Sequence, residues 1–421
     1  MRPVCLVAAA FSLIAGAAHA APDRCRVLDT TFTLGGDVPS AAQSLIADCT
    51  ALIDGKGETD ATLAIAHVNR GAAHAALGED APARADFMAA VTLDANDADA
   101  YAGLGFAYNH RAEREIAKPQ FTRAIALYDN ALTQKPGDPD LLFARGRALG
   151  GARDNDASLA DLEAASRARP DFAPALTFLG LSYEIAGKRD RTFDLCDKAV
   201  RLLPDYSIAL ACRGMMYAVQ GKSDLALVDY DHALRSNPLD ASNLLARGLI
   251  HDGRKEIDAA VADYTVALRQ MPESAEPEAA HCGSAAPFKA NAFAIAADNR
   301  VLERDPACTA ATANRCRVRA LLGVQLDGAL ADCDAAIAAA AERGLLFSRG
   351  LIYLRLHRDA EALRDEEQVV AADPSVAAAL YARGVARLRT GDKAGGEADI
   401  AAAQTKEADV ADESAAIGIR P

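Results

Sequence analysis

The chain has 421 residues, of which 45 are Lys or Arg and 59 are Asp or Glu, giving a formal net charge of −14 at pH 7. That balance argues against nucleic acid and anionic lipid as partners, because both are held by Lys and Arg that displace counterions. Basic or neutral polypeptide segments remain open.

Residues 1–20 read as a secretory leader. Arg2 is followed by an apolar run from Val4 onward, and Ala18-His19-Ala20 offers a cleavage site after Ala20. The run is too short for a stable membrane span, so no membrane span is expected and the mature chain is placed in a periplasm or outside the cell. Nine cysteines are present; with Cys5 in the leader, an even number remains for an oxidising compartment. Residues 21–61 read as an N-terminal capping segment with one helix, Ser40 to Ile53, tied down by a Cys25–Cys49 disulfide.

From there the chain repeats itself. Gly71, Gly105, Gly146, Gly180, Gly214, Gly248, Gly350 and Gly384 occupy one point of a unit whose spacing is 34 residues, the length of a helix–turn–helix repeat. In the other helix of the unit a small residue is followed by a large one and then Ala, as in Ala226/Tyr230/Ala233 and Ala260/Tyr264/Ala267. Spacings of four and three put these on one helical face. Prolines such as Pro170, Pro204 and Pro238 stop each second helix, and Gly78, Gly187, Gly221 and Gly391 supply the turn between helices. First helices are expected to start near Ala64, Ala98, Pro139, Ala173, Ser207, Ala241, Ala275, Thr309, Arg343 and Ala377. The second unit carries extra residues that repeat its anchors, Phe121/Ala124 and Tyr128/Ala131, so its second helix should be longer.

Residues 62–274 thus form an array of six repeats. Residues 275–308, where His281, Cys282 and Pro287 replace the anchors, read either as a degenerate repeat or as a hinge. Residues 309–421 form a second array of three repeats plus a capping helix.

The residue before the anchor Gly is often Arg, and sixteen positions later stands Asp: Arg70/Asp86, Arg145/Asp161, Arg213/Asp229, Arg247/Asp263, Arg349/Asp365 and Arg383/Asp399. Where the Arg gives way to Leu104, Leu179 or His281, the later position is Gln120, Leu195 or Ala297. Joint presence and joint absence is what an ion pair between two packed helices demands, since a half-buried charge is costly without its partner. In the eighth unit the pair is Arg315 with Asp332. A groove of arginines for acidic ligands is the weaker reading. Cys196 and Cys212 lie equally far from the turn at Pro204, and Cys316 and Cys333 flank the turn at Gly323, so each pair should bond. Cys282 and Cys308 pair by elimination. No His stands at ligand spacing from two cysteines, so no metal and no cofactor is expected.

At these residues the chain resembles the tetratricopeptide repeat family over residues 62–408. The family's common Trp is absent; Tyr101, Leu142, Leu176, Leu210, Leu244, Leu346 and Leu380 stand in its place. The resemblance implies an all-α fold, an α-α superhelical solenoid of about ten helix–turn–helix repeats. It also implies a concave groove lined by the first helices. Carried over, a middle row reads Ala72, Phe106, Arg147, Leu181, Met215, Leu249, Leu351 and Val385. Phe143, Leu245, Phe347 and Tyr381 precede it, and Leu354 and Leu388 are among those that follow. This stripe is either a groove for an apolar or helical peptide, favoured for Phe143, Phe347 and Tyr381, or ordinary core buried between neighbouring first helices.

Nothing in the sequence makes a positive case for an enzyme: no nucleophile elbow, zinc helix, phosphate loop or dinucleotide fingerprint occurs. His67 and His74 share a helix face but stand too far apart to ligate together, and Glu366 and Glu367 read as solvated surface charge. The expected function is a non-catalytic scaffold of the cell envelope that binds protein or peptide partners. A self-associating homo-oligomer is one rival, and an accessory regulator of a cell-wall enzyme another.

Overall fold

The computed structural model describes residues 25, 38–110, 113–270, 291–340 and 342–421. The expected leader, residues 1–20, lies outside them, as do His281 and Cys282. Among the described residues all regular structure is helical. No helix there is long and apolar enough to cross a membrane.

Packing divides the chain into two compact units, residues 1–250 with 270–275, and residues 251–269 with 276–421. The division falls ahead of the composition change at residue 275. In the first unit a cap helix α1 (Val38–Ile53) precedes hairpins made of α2 (Asp60–Ala76) and α3 (Asp80–Leu93), α4 (Ala98–His110) and α5 (Arg114–Gln134), and α6 (Pro139–Gly151) and α7 (Asn155–Ala168). Next come α8 (Ala173–Ile185) with α9 (Thr192–Leu202), α10 (Ser207–Val219) with α11 (Ser223–Ser236), and α12 (Ala241–Gly253). The second unit contains α13 (Ile257–Gln270), α14 (Ala292–Arg304), and the hairpins α15 (Thr309–Leu322) with α16 (Leu326–Ala339), α17 (Arg343–Arg355) with α18 (Asp359–Ala372), and α19 (Ala377–Thr390) with α20 (Lys393–Lys406). A short α21 (Val410–Ala416) follows.

The first-helix start expected at Ala275 lies outside the described residues; the others coincide with the expected ones except in the first hairpin, where α2 begins at Asp60 because the Thr59 hydroxyl accepts a hydrogen bond from the Thr62 amide. In α6 the Asp138 carboxylate accepts from the amides of Asp140 and Leu141, and Pro139 fills the first helical position, where a missing N–H costs nothing. Helix α5 is 21 residues long, against 14 for α7 and α11, and Phe121, Ala124 and Tyr128 of its doubled anchors are buried.

The turn between helices has a fixed stereochemistry. Positive φ recurs at Arg153, Gly187, Gly221, Lys255, Gly323, His357 and Gly391, all in one register of the 34-residue period. Glycine adopts that conformation without strain, whereas Arg153, Lys255 and His357 hold it against their own Cβ.

Disulfides join Cys25 to Cys49, Cys196 to Cys212 and Cys316 to Cys333, with Cα atoms 4.7, 5.8 and 5.1 Å apart. Cys308 is also disulfide-bonded. The first bridge sits in a small core with Ala42, Leu45, Ala66 and Ala73, and Asn69 donates to the Cys25 carbonyl at 2.8 Å. Cys316 and Cys333 stand where other hairpins carry the anchor Gly and its large partner, so a covalent bond replaces that close packing.

Candidate functional site

Five of the ladder arginines grip their aspartates through two parallel bonds. Arg70 Nε and Nη2 lie 2.9 and 2.7 Å from the Asp86 carboxylate, and the distances are 2.7 and 2.7 Å for Arg145 with Asp161. They are 2.9 and 2.7 Å for Arg213 with Asp229, 2.7 and 2.8 Å for Arg349 with Asp365, and 2.7 and 2.6 Å for Arg383 with Asp399. Arg315 holds Asp332 in the same fork. This bidentate geometry is the strong form of the interaction, and the aspartates are buried. Desolvation alone would raise the Asp86 carboxyl, but the hydrogen bonds from His67 and Arg70 hold it below the ordinary value.

The ladder has a third contact that spacing within one unit did not expose. Arg145 Nη1 reaches Asp129 of the preceding hairpin at 2.7 Å, Arg213 reaches Asp197 at 3.1 Å, Arg247 reaches Asp231 at 2.7 Å, and Arg349 reaches Asp334 at 2.7 Å. Each of these arginines therefore ties its hairpin to the one before it. Arg247's expected partner Asp263 belongs to the other compact unit. The charges of these arginines are occupied in this way within the helix stack.

The expected groove residues separate into two groups. Phe143, Arg147, Leu351, Tyr381 and Val385 are interior, with exposures of 4%, 7%, 2%, 4% and 0%, and they do not line an accessible wall. Around Arg147 the cause is an aromatic cage: its guanidinium carbon lies 4.9 Å from the Phe106 ring centre, 5.8 Å from Phe143 and 5.0 Å from Phe178. Phe143 in turn packs edge-on to Phe172 and Phe178, and Phe106 edge-on to Phe121. In the second unit Leu351, Tyr381 and Val385 belong to one core with Val410 and Ile419. Residues of the C-terminal segment cover that wall, and Arg355 pins the segment by donating to the Ile417 carbonyl. Phe347 is half-buried against the same core. Phe143, Arg147, Leu351, Tyr381 and Val385 are thus packed as core.

In the first unit a row stays accessible. Ile185, Val219 and Leu249 are exposed at 47%, 57% and 61%, with Leu181, Met215 and Leu245 half-buried beside them. Leu181, Met215 and Leu249 share one register of the period on α8, α10 and α12, and Ile185 and Val219 stand one turn further along. Ile185 and Val219 were not singled out from sequence, although the spacing of four from Leu181 and Met215 marks them.

Glu366 corrects its sequence reading as a solvated charge. It is fully buried, standing where Tyr230 and Tyr264 stand in other hairpins. Neither carboxyl oxygen meets a hydrogen-bond partner. Burial, with the neighbouring Asp365 charge, pushes its pKa well above the ordinary value, and Arg383 only partly opposes this. A second perturbed acid, Asp99, is raised to about 7, chiefly by burial and by Asp97, while it accepts a 2.5 Å hydrogen bond from Tyr128. His67 bonds Asp86 at 2.8 Å and His74 bonds Glu79 at 2.5 Å. Among the described residues no cluster of His, Cys, Asp or Glu is placed to hold a metal ion.

The family model described as tetratricopeptide repeat matches residues 143–207 and 213–275. Similar solved structures include the APC/C hetero-tetramer Cut9-Hcn1, at 15% identity and a TM-score of 0.49, covering 86% of this chain and 62% of that one. The tetratricopeptide-repeat protein TTC0263 of Thermus thermophilus is 21% identical with a TM-score of 0.34, over 42% of this chain and 92% of that one. YrrB, a protein of the same repeat class with an unusual peptide-binding site, is 23% identical with a TM-score of 0.28, over 47% and 97%. No curated protein matches in sequence.

Proposed function

We propose, for a chain that is a tetratricopeptide-repeat protein, the role of a non-catalytic scaffold in the cell envelope that holds an apolar segment of a partner protein against the first helices of its N-terminal unit. The observation that carries this reading is the accessible row Ile185, Val219 and Leu249 with Leu181, Met215 and Leu245. Apolar side chains at one register on three successive first helices give an extended segment a continuous strip to cover. Burial at about 25 cal/mol per Å² makes a strip of this kind worth occupying. Met215 adds a side chain that adapts to the shape it meets.

The envelope is favoured by the leader expected at residues 1–20 and by the disulfides, which persist in oxidising compartments. The test is capture of partners from an envelope fraction by the wild-type chain and by Met215→Asp with Leu249→Asp. Loss of capture with unchanged thermal stability supports the reading. Undiminished capture contradicts it. Light scattering on the same samples separates a partner segment from a second copy of the chain, since self-association makes the apparent mass rise with concentration.

A further inference from the structure

Among the hairpins whose two helices are both described, the arginine ladder lapses at the second and the fourth, and the two lapses differ. At the second, Leu104 replaces the arginine and the residue in register on the preceding hairpin is Met88, so no carboxylate is left behind. At the fourth, Leu179 replaces the arginine and Leu195 its aspartate, but the preceding carboxylate persists as Glu163. In the hairpins on either side that place is filled: Arg145 lies between Asp129 and Asp161, and Arg213 between Asp197 and Asp229. At the fourth hairpin the structure has a cleft of about 370 Å³, lined by Glu163, Leu179, Leu195 and Asp194 among others.

The polar groups of this cleft are set for a cation with a long apolar stem. Tyr183 donates its hydroxyl to Glu163 at 2.7 Å and so fixes the carboxylate. Ser166 also lines the cleft, and its Oγ is buried without a hydrogen-bond partner. Leu179 and Leu195 offer the apolar walls. Two arginines also line the cleft, and neither takes the ladder position: Arg167, largely exposed, donates to the second Glu163 oxygen at 3.4 Å, and Arg191 donates to the Tyr183 hydroxyl at 3.4 Å.

We infer that this cleft, which Leu179 and Tyr183 line on the side of α8 away from Leu181 and Ile185, receives a basic side chain, Arg or Lys, from another part of the partner protein. The inference rests on the scaffold reading and adds the chemistry of the occupant. The stem lies along Leu179 and Leu195. The head takes the place of the missing guanidinium between Glu163 and Asp194, and the Ser166 hydroxyl accepts a hydrogen bond from it. The chain's net charge of −14 favours encounter with a cationic segment.

The experiment uses the full chain with methyl-labelled leucines and titrates it with acetyl-Ala-Arg-Ala-amide, followed by NMR. The same peptide with Glu or norleucine at the centre serves as comparison. The Arg peptide is expected to move the Leu179 and Leu195 methyl signals saturably, and the Glu and norleucine peptides to leave them in place. Glu163→Gln should weaken the apparent affinity by about fivefold or more. Leu179→Arg with Leu195→Asp rebuilds the ladder inside the cleft and removes both reporters, so that variant is titrated by calorimetry, where the heat of binding seen for the wild-type chain with the Arg peptide should be absent. No shift with the Arg peptide, or an equal shift with the Glu peptide, overturns the inference. The titration reads the cleft alone, whereas capture through Leu249 reads the apolar row. Intact capture with a silent titration removes the cleft and leaves the scaffold, and a positive titration with capture unaffected by the row variants does the reverse.

Discussion

Arg213 and Asp229 meet through two hydrogen bonds of 2.9 and 2.7 Å, and the remaining guanidinium nitrogen of Arg213 reaches back to Asp197 of the preceding hairpin at 3.1 Å. One side chain thus closes a hairpin and joins it to its neighbour. Asp229 is 2% exposed, so removing Arg213 strands a buried carboxylate, and removing Asp229 leaves Arg213 only its longer contact to Asp197. Arg213→Ala and Asp229→Ala are each expected to cost about 3 kcal/mol in urea unfolding, with the double variant costing much less than their sum. Asp197→Ala, at a more solvated contact, should cost under about 1 kcal/mol. Additive single effects would contradict the coupling.

Glu366 is expected to weaken the C-terminal unit in a pH-dependent way. Its folded-state pKa lies well above the ordinary value of 4.5. The buried carboxyl is tolerated below the unfolded value, where both states carry the proton. Stability then falls as the pH rises from about 4.5 toward the folded pKa, because the unfolded chain ionises first. Glu366→Leu should therefore raise the melting temperature at pH 8 and have a smaller effect at pH 4. Melting scans of both proteins across that range check it, and a pH-independent difference would contradict the burial.

The left-handed turn positions give a prediction of opposite sign. His357 and Arg153 hold φ values of 55° and 67° at sites where other hairpins carry glycine. His357→Gly and Arg153→Gly should each stabilise by up to about 1 kcal/mol, the relieved Cβ strain exceeding the glycine's added freedom in the unfolded chain. Thermal unfolding measures this, and destabilisation would show that each side chain contributes more than its strain.

The bridge between Cys316 and Cys333 closes a loop of 17 residues. Cys316→Ala with Cys333→Ala should lower stability by about 3 kcal/mol under oxidising conditions. Adding reductant should then narrow the gap between that variant and the wild type. A variant as stable as the oxidised wild type would contradict a structural role for the bond.

The hairpins, their anchors and the arginine ladder were legible in the sequence because each depends on a constant spacing that survives changes of residue. Cys196 with Cys212 and Cys316 with Cys333 were legible for the same reason, since both follow from distance to a turn. The fate of Tyr381 and Val385 was not, because their cover comes from Val410 and Ile419, outside the repeat pattern. The Arg147 cage joins rings from separate hairpins, and single-helix periodicity does not reveal it. Glu366 was misread because residue type outweighed register: its position belongs to the large buried anchor. The strain at Arg153, Lys255 and His357 was hidden because only glycine announces a positive φ.

Photo-crosslinking in the envelope asks whether the apolar row of the N-terminal unit holds a partner polypeptide. A photo-reactive residue is placed at Leu249, with the exposed Leu225 on α11 as the comparison site. One or a few discrete protein adducts are expected at Leu249 and none of the same mass at Leu225. Identical adducts at both positions, or none at Leu249, would contradict that binding.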